Sequence, residues 1–359
     1  MKQKYYRLTN ILKEKAQYNI LLGERSNGKS YAVKEKCLMD AWADNNKKFI
    51  LLRRWELEIK PTQTELYFKD APISTITGGE ANGVWCYRGK LYFVNYGEDG
   101  KKVNVKHIGY TMSLNSEQHY TSGVYEDVSN VIFEEFISRD YYLPNEPNHL
   151  MNLISTVARR RAITVYMIGN TISRLCPYFR EWQLINVPKQ KQGTIDVYNQ
   201  KTAEQDENGK NIIVKIAVEF CENSGRNSKM FFGTNAGMVT TGTWQTEEQP
   251  HLNGKLKTDY NEIYSIVLQV DAFMFLCRLV VSKTDNTMLW YIEPKTTPIH
   301  SGTRLITNNR FEIGNMITYD LTGLSMLESQ CLSLLKTGAV CFSDNLTGSD
   351  FKNCLKYVI

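Results

Sequence analysis

The sequence predicts an α/β fold in two parts: a parallel-sheet core with a β-rich insert, then a linker and a smaller α/β domain. Three observations predict it. The run Gly23-Glu24-Arg25-Ser26-Asn27-Gly28-Lys29-Ser30 follows a short apolar stretch, Tyr18 to Leu22, and opens a helical pattern, SYAVKEKCLMDAWADNN. Ala32, Val33, Cys37, Leu38 and Trp42 recur there at three to four residues, the period of a helix with one buried face. A second apolar run, Asn130 to Phe136, ends on two adjacent acids, Glu134 and Glu135. Beyond residue 258 strand patterns come first and a helical pattern later, as in a small α/β or α+β domain.

The first of these runs is a full match to G-x-x-x-x-G-K-[ST], in the strand–loop–helix context that motif requires. Glycines let the backbone wrap a phosphate, and successive N–H groups point at it. The helix N-terminus adds partial positive charge. All eight residues, Gly23, Glu24, Arg25, Ser26, Asn27, Gly28, Lys29 and Ser30, are therefore candidates for binding ATP. Lys29 is placed to reach the β- and γ-phosphates, and the Ser30 hydroxyl to ligate Mg²⁺.

Composition sets the frame. The chain has 359 residues, 42% of them apolar, enough for two packed domains. The net charge is +5, so contacts to nucleic acid are expected from local patches, not from the whole surface. Eight scattered cysteines form no C-x-x-C pair, which excludes the common zinc and redox motifs. With no secretory leader evident, reduced thiols in a cytoplasm are expected. The most apolar stretch, Ile266 to Val281, is interrupted by Asp271 and Arg278 and reads as core strands, not a membrane span.

In order along the chain, residues 1–17 form a polar lead-in with Tyr5 and Tyr6. A tyrosine there could stack on a base; packing of an N-terminal helix is the commoner use. Lys48 to Leu52 is a strand buried on both faces, ending in Arg53 and Arg54. Ligands of such sheets bind beyond the carboxyl ends of strands, so these arginines fall near the nucleotide edge or are solvated strand-end charges. Residues 55–80 read as loop or helix, punctuated by Pro61 and Gly78-Gly79. Val84–Tyr87 and Leu91–Val94 flank a short turn and predict a hairpin. Lys60, Lys101 and Lys102 are weak candidates for touching DNA phosphates, since most such charges only face water.

The strand ending in Glu134 and Glu135 gains meaning from the phosphate loop upstream. One acid is needed in the Mg²⁺ shell, which falls to Glu134, and one to position the attacking water, which falls to Glu135. A helical stretch, His149 to Ala158, leads into Arg159-Arg160-Arg161. A buried strand, Ala162 to Ile168, follows and is tipped by Asn170, which can sense the γ-phosphate or water, or simply open a turn. The arginines can serve a helix dipole or insert into a neighbouring site. The core is expected to end near residue 200, with 201–257 as linker and 258–359 as the second domain.

With these motifs in place, the chain resembles the DNA-packaging ATPases of phi29-like tailed phages, most clearly over residues 15–185. The resemblance rests on GERSNGKSYAVK, the IFEEF strand, Leu143 to Glu146, ISTVARRR, the strand tipped by Gly169-Asn170, and Pro177-Tyr178-Phe179. It implies an ASCE-type ATPase core joined through a linker to a small RNase H-like domain. It also implies a homo-oligomeric, pentameric ring at the phage procapsid portal, in the host cytoplasm, driving double-stranded DNA inward. A structural RNA is an open further partner, and no membrane is involved. Arg159 matches the position of the family's trans-acting arginine finger, with Arg160 and Arg161 as alternates. Glu134 departs from the family's usual aspartate. In the second domain Asp271, Glu293 and Asp344 suggest a nuclease trio by order alone; the resemblance implies a vestigial site. Two further readings stay open: another ring DNA translocase or helicase, and a nucleotide-switched assembly protein without significant turnover. A small-molecule kinase fits less well, because no acceptor lid is evident.

Overall fold

The structure is a computed structural model. It describes residues 5–97, 101–138, 141–159, 161–205, 207–222, 236, 242–244, 246–270, 273–297, 304–307, 316–318 and 326–355. The chain divides into two compact units, Met1–Phe232 with Ala236–Trp244, and Gly233–Asn235 with Gln245–Ile359.

The first unit is built on a nine-stranded sheet of order β3-β4-β5-β2-β6-β7-β1-β9-β8. Its strands are β1 (Tyr18–Gly23), β2 (Lys48–Arg53), β3 (Gly83–Tyr87), β4 (Lys90–Tyr96), β5 (Lys102–Ser113), β6 (Val128–Glu134), β7 (Thr164–Asn170), β8 (Thr194–Gln205) and β9 (Asn211–Phe220). From β5 across to β9 all neighbours pair in parallel. Antiparallel pairs close the two edges, β3–β4–β5 on one side and β8–β9 on the other. One strand, β7, stands between β1 and β6, the arrangement of an ASCE-type core.

Both faces of this sheet are covered, which is why β1 is buried along its whole length. Side chains alternate between the two faces. Ile20, Leu22, Ile50, Leu52, Val131 and Phe133 pack on one side with α4 (Glu146–Ala158) and α5 (Pro177–Glu181). Leu21, Phe49, Leu51, Ile132 and Tyr166 pack on the other with α1 (Lys29–Ala43), α2 (Pro61–Phe68) and α3 (Ile73–Ile76). The predicted hairpin is present: Tyr87 pairs with Lys90 around Arg88 and Gly89, whose φ values are 49° and 74°. Two positive φ angles give a turn whose twist matches the strands it joins.

Residues 194–220 differ from expectation. They form the β8–β9 hairpin, and β9 pairs in parallel with β1, so the first sheet continues past residue 200. The first part of the expected linker, 201–220, instead holds the end of β8 and the whole of β9. Glu204 near the end of β8, and Glu207 and Lys210 between the two strands, reflect solvent exposure, not the end of a domain.

The second unit holds a six-stranded sheet, β14-β13-β10-β11-β12-β15. The strands are β10 (Tyr260–Val270), β11 (Phe273–Ser282), β12 (Met288–Pro294), β13 (Arg304–Thr307), β14 (Met316–Thr318) and β15 (Val340–Phe342). Its helices are α6 (Leu256–Asp259), α7 (Met326–Lys336) and α8 (Asn345–Leu355). β10, β11 and β12 form an antiparallel meander, β13 returns parallel to β10, and β14 is parallel to β13. This order, with β11 alone reversed, is that of an RNase H-like sheet. The apolar stretch from Ile266 is thus a strand hairpin; among the described residues no helix is long and apolar enough to cross a membrane.

Candidate active site

Because β1, β2, β6 and β7 run in parallel, their carboxyl ends share one edge of the sheet. That edge brings together Gly23, Arg53, Glu134 and Asn170, each the last residue of its strand. The phosphate loop continues from β1 into α1. Gly28 takes a φ of 99°, which favours glycine, and a Cβ there would meet the Tyr5 side chain and the Tyr6 nitrogen at 3.5 Å. The segment before β1 therefore crosses the loop closely, and the Tyr6 amide donates to the Asn27 carbonyl at 2.9 Å.

Lys29 is only 4% exposed. Its Nζ donates to the Glu24 carbonyl at 2.5 Å and to Asn27 Oδ1 at 3.2 Å, so it lies folded within its own loop. Burial pulls the ammonium below the usual lysine value, against the attraction of Cys221, Glu134 and Glu24. A lysine at the start of α1, beside the glycine turn and lining the cleft, suits a polyphosphate.

The acids divide by exposure. Glu134 is buried, and Ser30 Oγ donates to its Oε2 at 3.1 Å while the Tyr67 hydroxyl donates to its Oε1 at 2.7 Å. Burial raises its pKa, and the hydrogen bonds from Tyr67 and Ser30 oppose the rise. A serine hydroxyl beside a carboxylate is the hard-oxygen donor set that Mg²⁺ takes in nucleotide sites, so the residues present fit the ion. Glu135 leaves the strand in the left-handed region, φ 55°, and is exposed. Arg53 Nη2 donates to its Oε2 at 3.1 Å and to Glu58 Oε1 at 3.0 Å.

The turn at Glu135 is held from below by Arg54. Its guanidinium donates to the Glu135 carbonyl at 3.2 Å and the Phe136 carbonyl at 2.6 Å, and forks onto both oxygens of Glu146 at 2.7 and 2.9 Å. Glu146 also accepts from the Tyr178 hydroxyl at 2.9 Å and the Leu143 amide at 2.8 Å. Segments far apart in sequence thus meet in one buried network. Of the two strand-end arginines, Arg53 faces the acid at the edge and Arg54 is structural.

A cleft of about 1590 Å³ opens over this edge. Arg25, Ser26, Asn27, Gly28, Lys29 and Ser30 line it, together with Glu134, Glu135 and Asn170. Gly23 and Glu24 are buried beneath it. Tyr5 and Tyr6 also line it, so the lead-in residues border the cleft instead of packing as part of a helix. Arg159 does not line it. It ends α4 with a φ of 42° and donates to the Gly123 carbonyl at 2.7 Å. Arg161 bonds the Val128, Tyr125 and Val157 carbonyls, a structural role, and Arg160 lies outside the described residues. Lys60 is exposed at the start of α2; Lys101 and Lys102 are exposed, and Lys102 Nζ stands 3.7 Å from the centroid of the Trp85 ring. Sequence reasoning missed Tyr67 and the pairing of Arg53 with Glu135, since no local pattern signals either.

In the second unit the suggested nuclease trio falls only in part within the described residues. Asp271 lies outside them. Glu293 accepts from Arg278 at 2.8 and 3.0 Å, and Asp344 accepts from the Thr347 amide at 2.8 Å at the start of α8. No group of three or more metal-ligating side chains is found among the described residues.

Comparison with known proteins gives the family. The family model described as podovirus DNA encapsidation protein (Gp16) matches residues 1–213. The DNA packaging protein of Bacillus phage phi29 is 28% identical over 188 residues, covering 51% of this chain and 52% of the relative. That of Bacillus phage B103 is 32% identical over 171 residues, covering 46% and 48%. The chain thus spans about half the length of the curated relatives it matches. A structure of the bacteriophage Phi-29 viral genome packaging motor assembly shares the fold at 21% identity, with a TM-score of 0.55 over 99% of this chain and 100% of that one. The match over residues 1–213, more than half of the chain, places it in the podovirus DNA encapsidation protein (Gp16) family.

Proposed function

We propose that the chain is an ATP-driven motor that moves double-stranded viral DNA into a procapsid, working as a homo-oligomeric ring at the portal in the host cytoplasm. The observation that carries the reading is the single sheet edge gathering Lys29, Ser30, Glu134, Glu135 and Asn170 around one cleft, in a chain of this family. Bound Mg²⁺ would neutralise phosphate charge, held by Ser30 and Glu134. Lys29 swings from the Glu24 carbonyl onto the phosphates, and Asn170 contacts the γ-phosphate end. Glu135, released from Arg53, orients the attacking water and takes its proton. Arg159 is exposed and outside its own cleft, which suits a finger that completes the site of the next subunit. The relatives, DNA packaging proteins and a viral genome packaging motor assembly, support DNA and a packaging assembly as partners.

The test is ATP hydrolysis with and without double-stranded DNA for wild type, Glu135→Gln and Arg159→Ala. DNA stimulation, loss of turnover in both variants, and partial recovery on mixing the two support the ring motor. Recovery requires that one subunit supply the finger and its neighbour the acid. If wild type shows no turnover even on purified procapsids, the motor reading fails.

A further inference from the structure

The acid at the end of β6 is a glutamate, one methylene longer than aspartate, and its carboxylate must be held back to share a metal with Ser30. Both of its oxygens are engaged, Oε2 by Ser30 at 3.1 Å and Oε1 by the Tyr67 hydroxyl at 2.7 Å. Tyr67 comes from α2, in the stretch between β2 and the hairpin insert, outside every nucleotide-site motif of the sequence. Its ring is fixed from two sides. It packs edge-on against Phe68 with centroids 4.9 Å apart, and Lys34 Nζ stands 4.6 Å from its centroid. Lys34 also donates to the Tyr67 carbonyl at 2.6 Å and pairs with Asp70, tying α1 to the end of α2.

We propose that Tyr67 is a positioning residue that fits a glutamate to the metal-side place: by holding Oε1 it turns Oε2 toward Ser30. The proposal rests on the ATPase reading of the cleft. A neutral hydroxyl suits the task, because it fixes the carboxylate without the charge that would compete with a divalent ion. Tyr67 does not line the cleft and acts only through Glu134.

The test uses the full chain and a fluorescent ATP analogue, titrated with magnesium and with EDTA. Tyr67→Phe removes the hydroxyl and keeps the ring. It should reduce the magnesium-dependent gain in affinity by about tenfold, the scale of one hydrogen bond to a charged group, and leave the metal-free affinity unchanged. In a Glu134→Asp background the shorter acid no longer reaches the hydroxyl, so adding Tyr67→Phe should change nothing further. The proposal is overturned if Tyr67→Phe gains from magnesium as wild type does, if it weakens both affinities alike, or if the two substitutions act additively. A wild-type chain that binds the nucleotide no better with magnesium overturns the ATPase reading, and the proposal with it.

Discussion

Glu135 holds a left-handed backbone conformation, φ 55°, that side chains other than glycine, asparagine and aspartate adopt at a cost of about 1–3 kcal/mol. Arg54 sustains it by binding the carbonyls of Glu135 and Phe136. Glu135→Gly should therefore be more thermally stable than Glu135→Ala by about 1 kcal/mol, with ATP turnover lost in both; equal melting temperatures would show the turn is unstrained. A second residue carries a pH signature. Glu219 on β9 is 8% exposed, and burial raises its carboxyl above the usual range; Glu222 adds to the rise, and the hydrogen bond from Tyr6 opposes it. A carboxyl whose pKa is raised on folding binds its proton more tightly in the folded chain. Its contribution is present below the ordinary carboxylate range and is lost as pH rises through the raised value. Glu219→Gln keeps an acceptor for Tyr6, so it should raise the melting temperature at about pH 7 and do so little at about pH 4. A gain that is the same at both values would refute the assignment. At this scale the phosphate-loop residues and the acid pair were legible, because a local motif spells them out. Tyr67 and the pairing of Arg53 with Glu135 were not, because the partners lie 67 and 82 positions away in the chain.

At the scale of elements, the strands of the parallel core were legible as continuous apolar runs, since a strand covered on both faces has no polar side to interrupt it. The β3–β4 hairpin was legible from its turn. The β8–β9 hairpin was split by the reading because β8, TIDVYNQKTAEQ, carries mostly polar residues at a sheet edge. Such a strand is recognised by its partner, not by its own composition. Its pairing leads to a prediction: a fragment ending at residue 200 loses β9 and leaves β1, the strand that carries the phosphate loop, with an unpaired edge. It should aggregate or fail to bind nucleotide, whereas a fragment ending at residue 244 should stay soluble and bind. Equal behaviour of the two fragments would show that β9 is dispensable.

At the scale of the whole molecule, a net charge of +5 spread over 359 residues means that the DNA contact proposed above would fall to local groups. Lys101→Ala with Lys102→Ala should weaken DNA binding and flatten its dependence on salt by about two counterions; unchanged affinity removes both from the DNA path. The second unit shows why fold and chemistry part company. Its strands were legible as apolar runs and its RNase H-like order was implied by the resemblance, yet Glu293 and Asp344, picked out by order alone, serve an ion pair and a helix start. One fastening in the first unit has a mechanical meaning. Thr171, next after Asn170, donates to the Thr243 carbonyl at 3.0 Å, and Trp244 packs edge-on against Phe220 at the end of β9 with centroids 5.9 Å apart. Tension on the polypeptide beyond Trp244 is therefore delivered to the strand beside the phosphate-loop strand and to the neighbour of Asn170.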